Sequence, residues 1–323
     1  MSRYWFSPGE ALDAAFRQIM RKQLRSAARA LASDEPAALG IHRARRCLKR
    51  SGALVALIEP VYRRGRWAHE ARTLKAAAQQ LSGARDEQAK LDALERLMAR
   101  FGASLPVAAC QRLGLALEQK RARHEQAVGP DKVEDLTRTL DRLGQSFRRK
   151  RVRRLGDRAL IEGVAAAYRR GRKTMRTAFA TGRDEDFHAW RRNLQVHWRH
   201  MQLMERCWPA EMRVRAEAAK TISGHLGEDH DLWLLLCDLA DPDLLLREAD
   251  RKRLARACRT MQAGLREEAR RLGEHLYAEK PRQLAKRLGH HWRCAVKWGV
   301  AAAPDRQVTG TDAPVVEAVP IAA

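Results

Sequence analysis

The sequence predicts an all-α protein made of two tandem, antiparallel helical bundles, about four helices each or slightly more. Three observations lead there. Runs of Ala, Leu, Arg, Glu, Lys and Gln dominate, with few Val or Ile and no alternation of period two. A pattern of apolar and basic residues recurs about half a chain apart. Breaks rich in Pro and Gly cut the chain into helix-sized pieces.

In chain order, Ser7-Pro8-Gly9-Glu10 has capping-box spacing and opens a helix that carries Arg21, Lys22, Arg25 and Arg29 on neighbouring turns. Asp34-Glu35-Pro36 ends it. In the next helix, Ile41-His42-Arg43-Ala44-Arg45-Arg46-Cys47-Leu48-Lys49-Arg50, a rotation of about 100° per residue puts His42, Arg45, Arg46 and Lys49 on one face. Ile41, Ala44, Leu48 and Val55 take the other. Glu59-Pro60 and Ser82-Gly83 break the following stretch, which contains Lys75 and Asp86. Ser104 before Leu105-Pro106 reads as an N-cap, and Gly129-Pro130 precedes a second capping-box spacing, Asp131 to Glu134. A basic run, Arg148 to Arg154, joins the halves.

The second half repeats the order. Arg169, Arg170, Lys173 and Arg176 lie upstream of a helix in which His188, Arg191, Arg192, Gln195 and Arg199 share one face, and Phe187, Trp190, Leu194 and Met201 the other. Trp208-Pro209, Asp241-Pro242 and Lys280-Pro281 then punctuate the chain. His42 and His188 are 146 residues apart, Lys75 and Lys220 are 145, and Asp86 and Asp231 are 145. Three markers with nearly one offset argue for duplication, with bundles over 8–154 and 155–300. From 301 to 323 the helical pattern is lost, and a disordered tail is expected. Glu228, Asp229 and Asp231, following Gly227, read as the acidic first turn of a new helix, as does Asp86; Trp190 and Trp198 read as core or groove wall.

Composition limits the partners. The 63 Lys and Arg outnumber 39 Asp and Glu, a formal net charge of +24, which calls for a polyanion such as nucleic acid, polyphosphate or an anionic membrane surface. The 45% hydrophobic share is enough for a sizeable core. Six scattered cysteines without a Cys-x-x-Cys pair fit small apolar positions in a reducing compartment. The N-terminus lacks the apolar core of a signal peptide, and no long uncharged apolar stretch occurs, so a cytoplasmic protein without membrane insertion is expected. Dense Arg around both histidines disfavours a metal, and no cofactor is implied.

His-x-x-Arg-Arg at 42–46 and 188–192, Leu81-Ser82-Gly83-Ala84-Arg85-Asp86, Leu226-Gly227-Glu228-Asp229-His230-Asp231 and Tyr277-Ala278-Glu279-Lys280-Pro281 occur in an order that resembles the conserved histidine α-helical domain family, CHAD. The resemblance runs from about residue 8 to 299. It implies two pseudo-symmetric helical bundles whose His-bearing helices face a shared basic groove or pore, inorganic polyphosphate as the ligand, and in some relatives association with polyphosphate granules. The Glu-x-Glu-x-Lys motif of the CYTH domain fused to many relatives does not occur. The chain therefore reads as a stand-alone member, and no triphosphatase activity carries over. Two departures, Gln195 against Lys49 and Glu228 against Gly83, imply unequal halves.

The residues expected to hold polyphosphate are Arg21, Lys22, Arg25, His42, Arg45, Arg46, Lys49 and Lys75 in the first half. In the second they are Arg169, Arg170, Lys173, His188, Arg191, Arg192, Arg199 and Lys220. Arg offers bidentate donors to phosphate oxygens and Lys a movable charge, and a polymer charged on every unit rewards many such contacts. The stripes are poor in acid and no P-loop is present, so catalysis is not expected. Nucleic acid is the rival ligand by electrostatics, disfavoured by an aromatic content of 6% and by the lack of an interleaved stacking platform. A scaffold that recruits partners to granules is a third reading.

Overall fold

The computed structural model describes residues 3–33, 37–62, 65–127, 129–149, 152 and 155–299. The break at 34–36, most of the run 150–154 and the segment 301–323 lie outside the described residues. Eleven α-helices are described: α1 (Leu12–Leu31), α2 (Ala37–Ile58), α3 (Ala68–Gln80), α4 (Gly83–Phe101), α5 (Val107–Gln126), α6 (Pro130–Arg149), α7 (Asp157–Thr181), α8 (Asp184–Leu203), α9 (Pro209–Leu239), α10 (Glu248–Leu276) and α11 (Pro281–Trp298). Short 3-10 turns follow α2 at Glu59–Val61, α4 at Gly102–Ser104, α8 at Glu205–Cys207 and α9 at Pro242–Leu244. Among the described residues there is no strand.

The neighbours of each helix repeat as the offsets predict. α1 packs on α2 and α6, and α7 packs on α8 and α11; α4 packs on α5, and α9 on α10. The described helices number six in the first half and five in the second, because α3 and α4 together match the single 31-residue α9. Leu81-Ser82 interrupts the first copy. The second runs through Leu226-Gly227 without a break, so Glu228, Asp229 and Asp231 sit in mid-helix, not in the first turn that their sequence suggests. Tertiary contacts explain the difference. A Cβ on Gly227 would lie 2.9 Å from Nη2 of Arg191, so the glycine admits a guanidinium from α8 against the α9 backbone. A mid-helix glycine costs about 1 kcal/mol relative to alanine. Asp86 does lie in the first turn of α4.

Three predicted caps are placed differently. The Ser7 N–H donates to Oε1 of Glu10 at 2.5 Å and the Glu10 N–H to the Ser7 carbonyl at 3.2 Å, closing a turn ahead of α1, whose N-cap is Ala11. Ser104 Oγ donates back to the Phe101 carbonyl at 2.7 Å, and α5 starts after Pro106. Pro130 takes the first position of α6 and leaves Asp131 in the first turn, since a residue without an N–H suits that position. The reciprocal geometry appears instead at α11, where the Lys280 N–H donates to Oε1 of Gln283 at 2.9 Å.

The apolar core does not stop at the join between the halves. Leu54, Leu57 and Ile58 of α2 share one cluster with Leu160, Val164 and Tyr168 of α7 and with Trp190 and Leu194 of α8. A second cluster unites α4 and α5 with α9 and α10 through Leu97, Leu113, Leu235 and Leu254. Each fully buried side chain of this kind contributes roughly 1.5–3 kcal/mol. A close crossing lies at Gly163, where a Cβ would fall 2.1 Å from the Leu57 carbonyl oxygen; glycine lets α7 rest on the end of α2.

The late segment Tyr277 to Pro281 acts as a clasp. Tyr168 Oη donates within reach of the carbonyls of Glu279 (2.9 Å) and Leu276 (3.3 Å), and the Tyr277 ring packs 5.1 Å from the Tyr168 ring. Arg215 bridges Glu211 at 3.1 Å and Glu279 at 2.7 Å, and Arg287 of α11 joins the same two carboxylates. All six cysteines are free, and Cys47, Cys110, Cys207 and Cys258 are buried. No described helix is long and apolar enough to cross a membrane.

Candidate functional site

The two His-headed helices meet. α2 and α8 pack on each other and bring the Arg45–Lys49 turn against the His188–Arg199 stripe. Lys49 lies in the field of Arg191, Arg199, Arg45 and Arg85. The surrounding protein mass, followed by these four charges in that order, pushes its ammonium down to about 7. Its side chain still reaches water, so an incoming anion can reach it too.

Arg199 is the innermost member. It is 7% exposed, its Nη1 donates to the Gln195 carbonyl at 2.9 Å, and its guanidinium lies 4.8 Å from the Trp198 ring centroid. Burial and the neighbouring Arg50 and Arg191 bring its pKa down to about 10. Behind it stands buried Tyr4, whose hydroxyl donates to the Arg50 carbonyl at 3.0 Å. Arg191, wedged against Gly227, is lowered by burial and held up by Asp231 and Asp86. Arg45 donates to the Ala78 carbonyl at 3.1 Å.

Two carboxylates from other helices enter the cluster. Asp86 of α4 and Asp231 of α9, the pair matched by the 145-residue offset, both act on Arg191. Burial raises Asp231 to about 6 against the pull of Arg191, Arg96 and Arg85. The stripes are acid-poor along their own helices, but the folded site is not free of acid. Even so, none of Lys49, Arg85, Arg191, Arg192 and Arg199 makes an ion pair among the described residues, so the cations outnumber the two carboxylates.

Arg85, Arg96, Asp231 and His230 were not among the expected site residues. The 145-residue offset equates Arg85 with His230, and that equivalence is the signal in the sequence for both. The His230 ring lies 3.9 Å from the His188 ring, centroid to centroid. Desolvation, with Arg192 and Arg191 beside it, lowers His188 to about 4; His230 falls to about 3 through burial, His188 and the same arginines.

The remaining expected residues are dispersed. Lys22 and Arg25 are exposed on α1, and Arg21 lines a separate cavity of about 550 Å³ between α1 and α6 with Arg17 and Arg148. Lys75 is exposed on α3; Lys220, on α9, lies 3.8 Å from Glu217. Arg169 and Lys173 are exposed on α7 and Arg170 is half-buried there. His42 is exposed and Arg46 half-buried on α2, both engaged in interactions of their own. Trp190 is wholly buried in the core, and Trp198 forms part of the wall beside Arg199.

Asp229 has a different task. Oδ1 accepts from Nε of Arg266 at 2.6 Å, and Arg266 also pairs with Asp184, which Arg259 approaches at 2.9 Å. These groups tie α10 to the starts of α8 and mid-α9, directly behind the histidine pair. Among the described residues no group of three or more His, Cys, Asp or Glu is placed to hold a metal ion. What the site offers chemically is a set of guanidinium and ammonium donors converging from both halves, with Arg199 buried and Lys49, Arg85 and Arg192 open to water.

The CHAD domain family model matches residues 12–240. Tyr277 to Pro281 lies beyond that match. No curated protein matches the chain.

Proposed function

The chain belongs to the CHAD domain family, and on that premise we propose that it binds inorganic polyphosphate where α2 and α8 meet, without catalysing its turnover. One observation carries the reading. Arg45, Lys49, Arg85, Arg191, Arg192 and Arg199 converge on a site with two nearby carboxylates, where burial first and their mutual repulsion second bring Lys49 down to about 7. A polyanion relieves that repulsion, gains charge-assisted hydrogen bonds and releases counterions. The site supplies no charge-balanced cluster of acids for magnesium and no activated nucleophile of the kind phosphoryl transfer uses. Arg21, Lys22, Arg25, Lys75, Arg169, Arg170, Lys173 and Lys220 extend the cationic surface over which a long chain can run.

Competition tests the reading. Labelled long-chain polyphosphate is displaced with duplex DNA, single-stranded RNA and tripolyphosphate at fixed ionic strength. Polyphosphate should prevail per charge, with an affinity that falls as salt rises. Equal displacement by nucleic acid per charge, or an affinity indifferent to salt, would overturn it. Association with polyphosphate granules in the cytoplasm follows as the cellular expectation and is checked by co-localisation of a fluorescent fusion.

A further inference from the structure

At one edge of the cationic site three rings form a column. His188 of α8 lies 3.9 Å from His230 of α9 with planes inclined by 33°, and His230 lies 5.3 Å from Trp233, one turn further on, at 27°. All three keep some exposure to solvent. Arg191 and Arg192 act on both histidine rings, and Arg192 is exposed.

The duplicate positions in the first half carry a different set. By the repeat offsets, His188, His230 and Trp233 correspond to His42, Arg85 and Gln88. Gln88 has no ring; it donates to Asp92 at 2.7 Å and accepts from Nη1 of Arg121. One half of the site is therefore hydrogen-bonding and charge alone, while the other adds flat, apolar faces next to guanidinium groups. An inorganic phosphate chain has no use for such faces. A heterocycle that carries its own phosphates uses both, because ring faces accept a stacked base and adjacent arginines hold the phosphates.

We infer that the His188–His230–Trp233 column is a nucleobase subsite, and that the site accepts nucleoside 5′-triphosphates with the base on the column and the phosphates on Arg191, Arg192 and Lys49. The inference rests on the anion site proposed above and adds a ligand class to it. It also explains why the aromatic side chains missing from each basic stripe appear only once α8 and α9 are packed.

Calorimetric titration of the full chain with adenosine 5′-triphosphate, tripolyphosphate and long polyphosphate, all with EDTA at one ionic strength, decides the matter. The triphosphate should bind about tenfold more tightly than tripolyphosphate, the usual order for one stacked base. Trp233→Leu should erase that advantage while leaving tripolyphosphate affinity in place, and Trp233→Phe, which keeps a ring, should retain most of it. Stacking should also quench tryptophan fluorescence in the wild type with the nucleotide and not with tripolyphosphate. If long polyphosphate binds but the nucleotide gains nothing over tripolyphosphate, or if Trp233→Leu weakens both ligands alike, the subsite does not exist. If none of the three ligands binds, the underlying anion site itself is wrong.

Discussion

The first and second halves of this protein share a helix order and differ in how they hold it. In the second, α9 runs unbroken for 31 residues, Gly227 lets Arg191 lie against its backbone, and Arg266 locks Asp229 and Asp184 into one buried network. In the first, the same stretch is broken at Leu81-Ser82. There α4 and α5 are tied across the join instead, by Lys90 and Lys120 respectively, to Asp238 of α9 at 2.5 and 2.7 Å. A duplicated sequence can thus keep its ligand-facing stripe while its supporting contacts diverge, because binding constrains a few side-chain positions and packing leaves many solutions.

The largest test of that difference is Asp229→Ala. It leaves Arg266 partly buried with Asp184 and the Gly182 carbonyl for partners, and removing one member of a buried pair costs about 3–5 kcal/mol. Urea denaturation should show a loss of that order, whereas Asp92→Ala in α4, whose recorded partner is Gln88, should cost under about 1 kcal/mol. Equal losses would mean that the two halves are held alike.

Next in size is the contribution of each half to the ligand. Arg45→Ala combined with Arg191→Ala, the matched pair, should weaken polyphosphate binding about a hundredfold, since each charged hydrogen bond is worth roughly 1.5–3 kcal/mol. Lys49→Gln makes the first stripe match Gln195 of the second and should weaken binding about tenfold on its own. Unaltered affinity in Lys49→Gln would show that the asymmetry between the stripes has no bearing on the ligand.

Gly163→Ala probes the join itself. The new methyl would fall 2.1 Å from the Leu57 carbonyl oxygen, so α2 and α7 must separate, at a cost of about 1–3 kcal/mol that helix propensity only partly offsets. A thermal melt that loses several degrees with one transition would show both halves unfolding together; an unchanged melting temperature would argue against the close crossing.

The smallest effect is that of pH. Lys49 at about 7 is charged below that value and neutral above it, and Asp231 at about 6 gains its negative charge as pH rises through 6. Both changes weaken anion binding as pH rises from about 5.5 to 8, by a few-fold in total. For the free protein, Lys49 acts in the opposite sense. Its folded pKa is below the unfolded value of 10.5, so the unfolded chain takes up the proton first and stability from this group falls as pH drops from 10.5 to 7. Lys49→Arg should remove the Lys49 part of both trends, measurable by titration at constant ionic strength.

Much of this was legible from composition and spacing alone. Helix-forming runs, Pro breaks and a repeat offset of 145–146 residues determine an all-helical duplication with two basic stripes, because helix propensity, periodicity and proline sterics act locally. The helix breaks at Glu59-Pro60, Ser82-Gly83, Trp208-Pro209, Asp241-Pro242 and Lys280-Pro281 are where the spacing puts them. What only the tertiary structure decided is which stripes meet and what stands behind them. That Gly227 continues a helix depends on Arg191 from α8, that Asp229 is a strut depends on Arg266 from α10, and that His188 has a ring partner depends on His230 from α9. Such contacts depend on side chains far apart in the chain coming together in one desolvated place, and no local pattern carries that information.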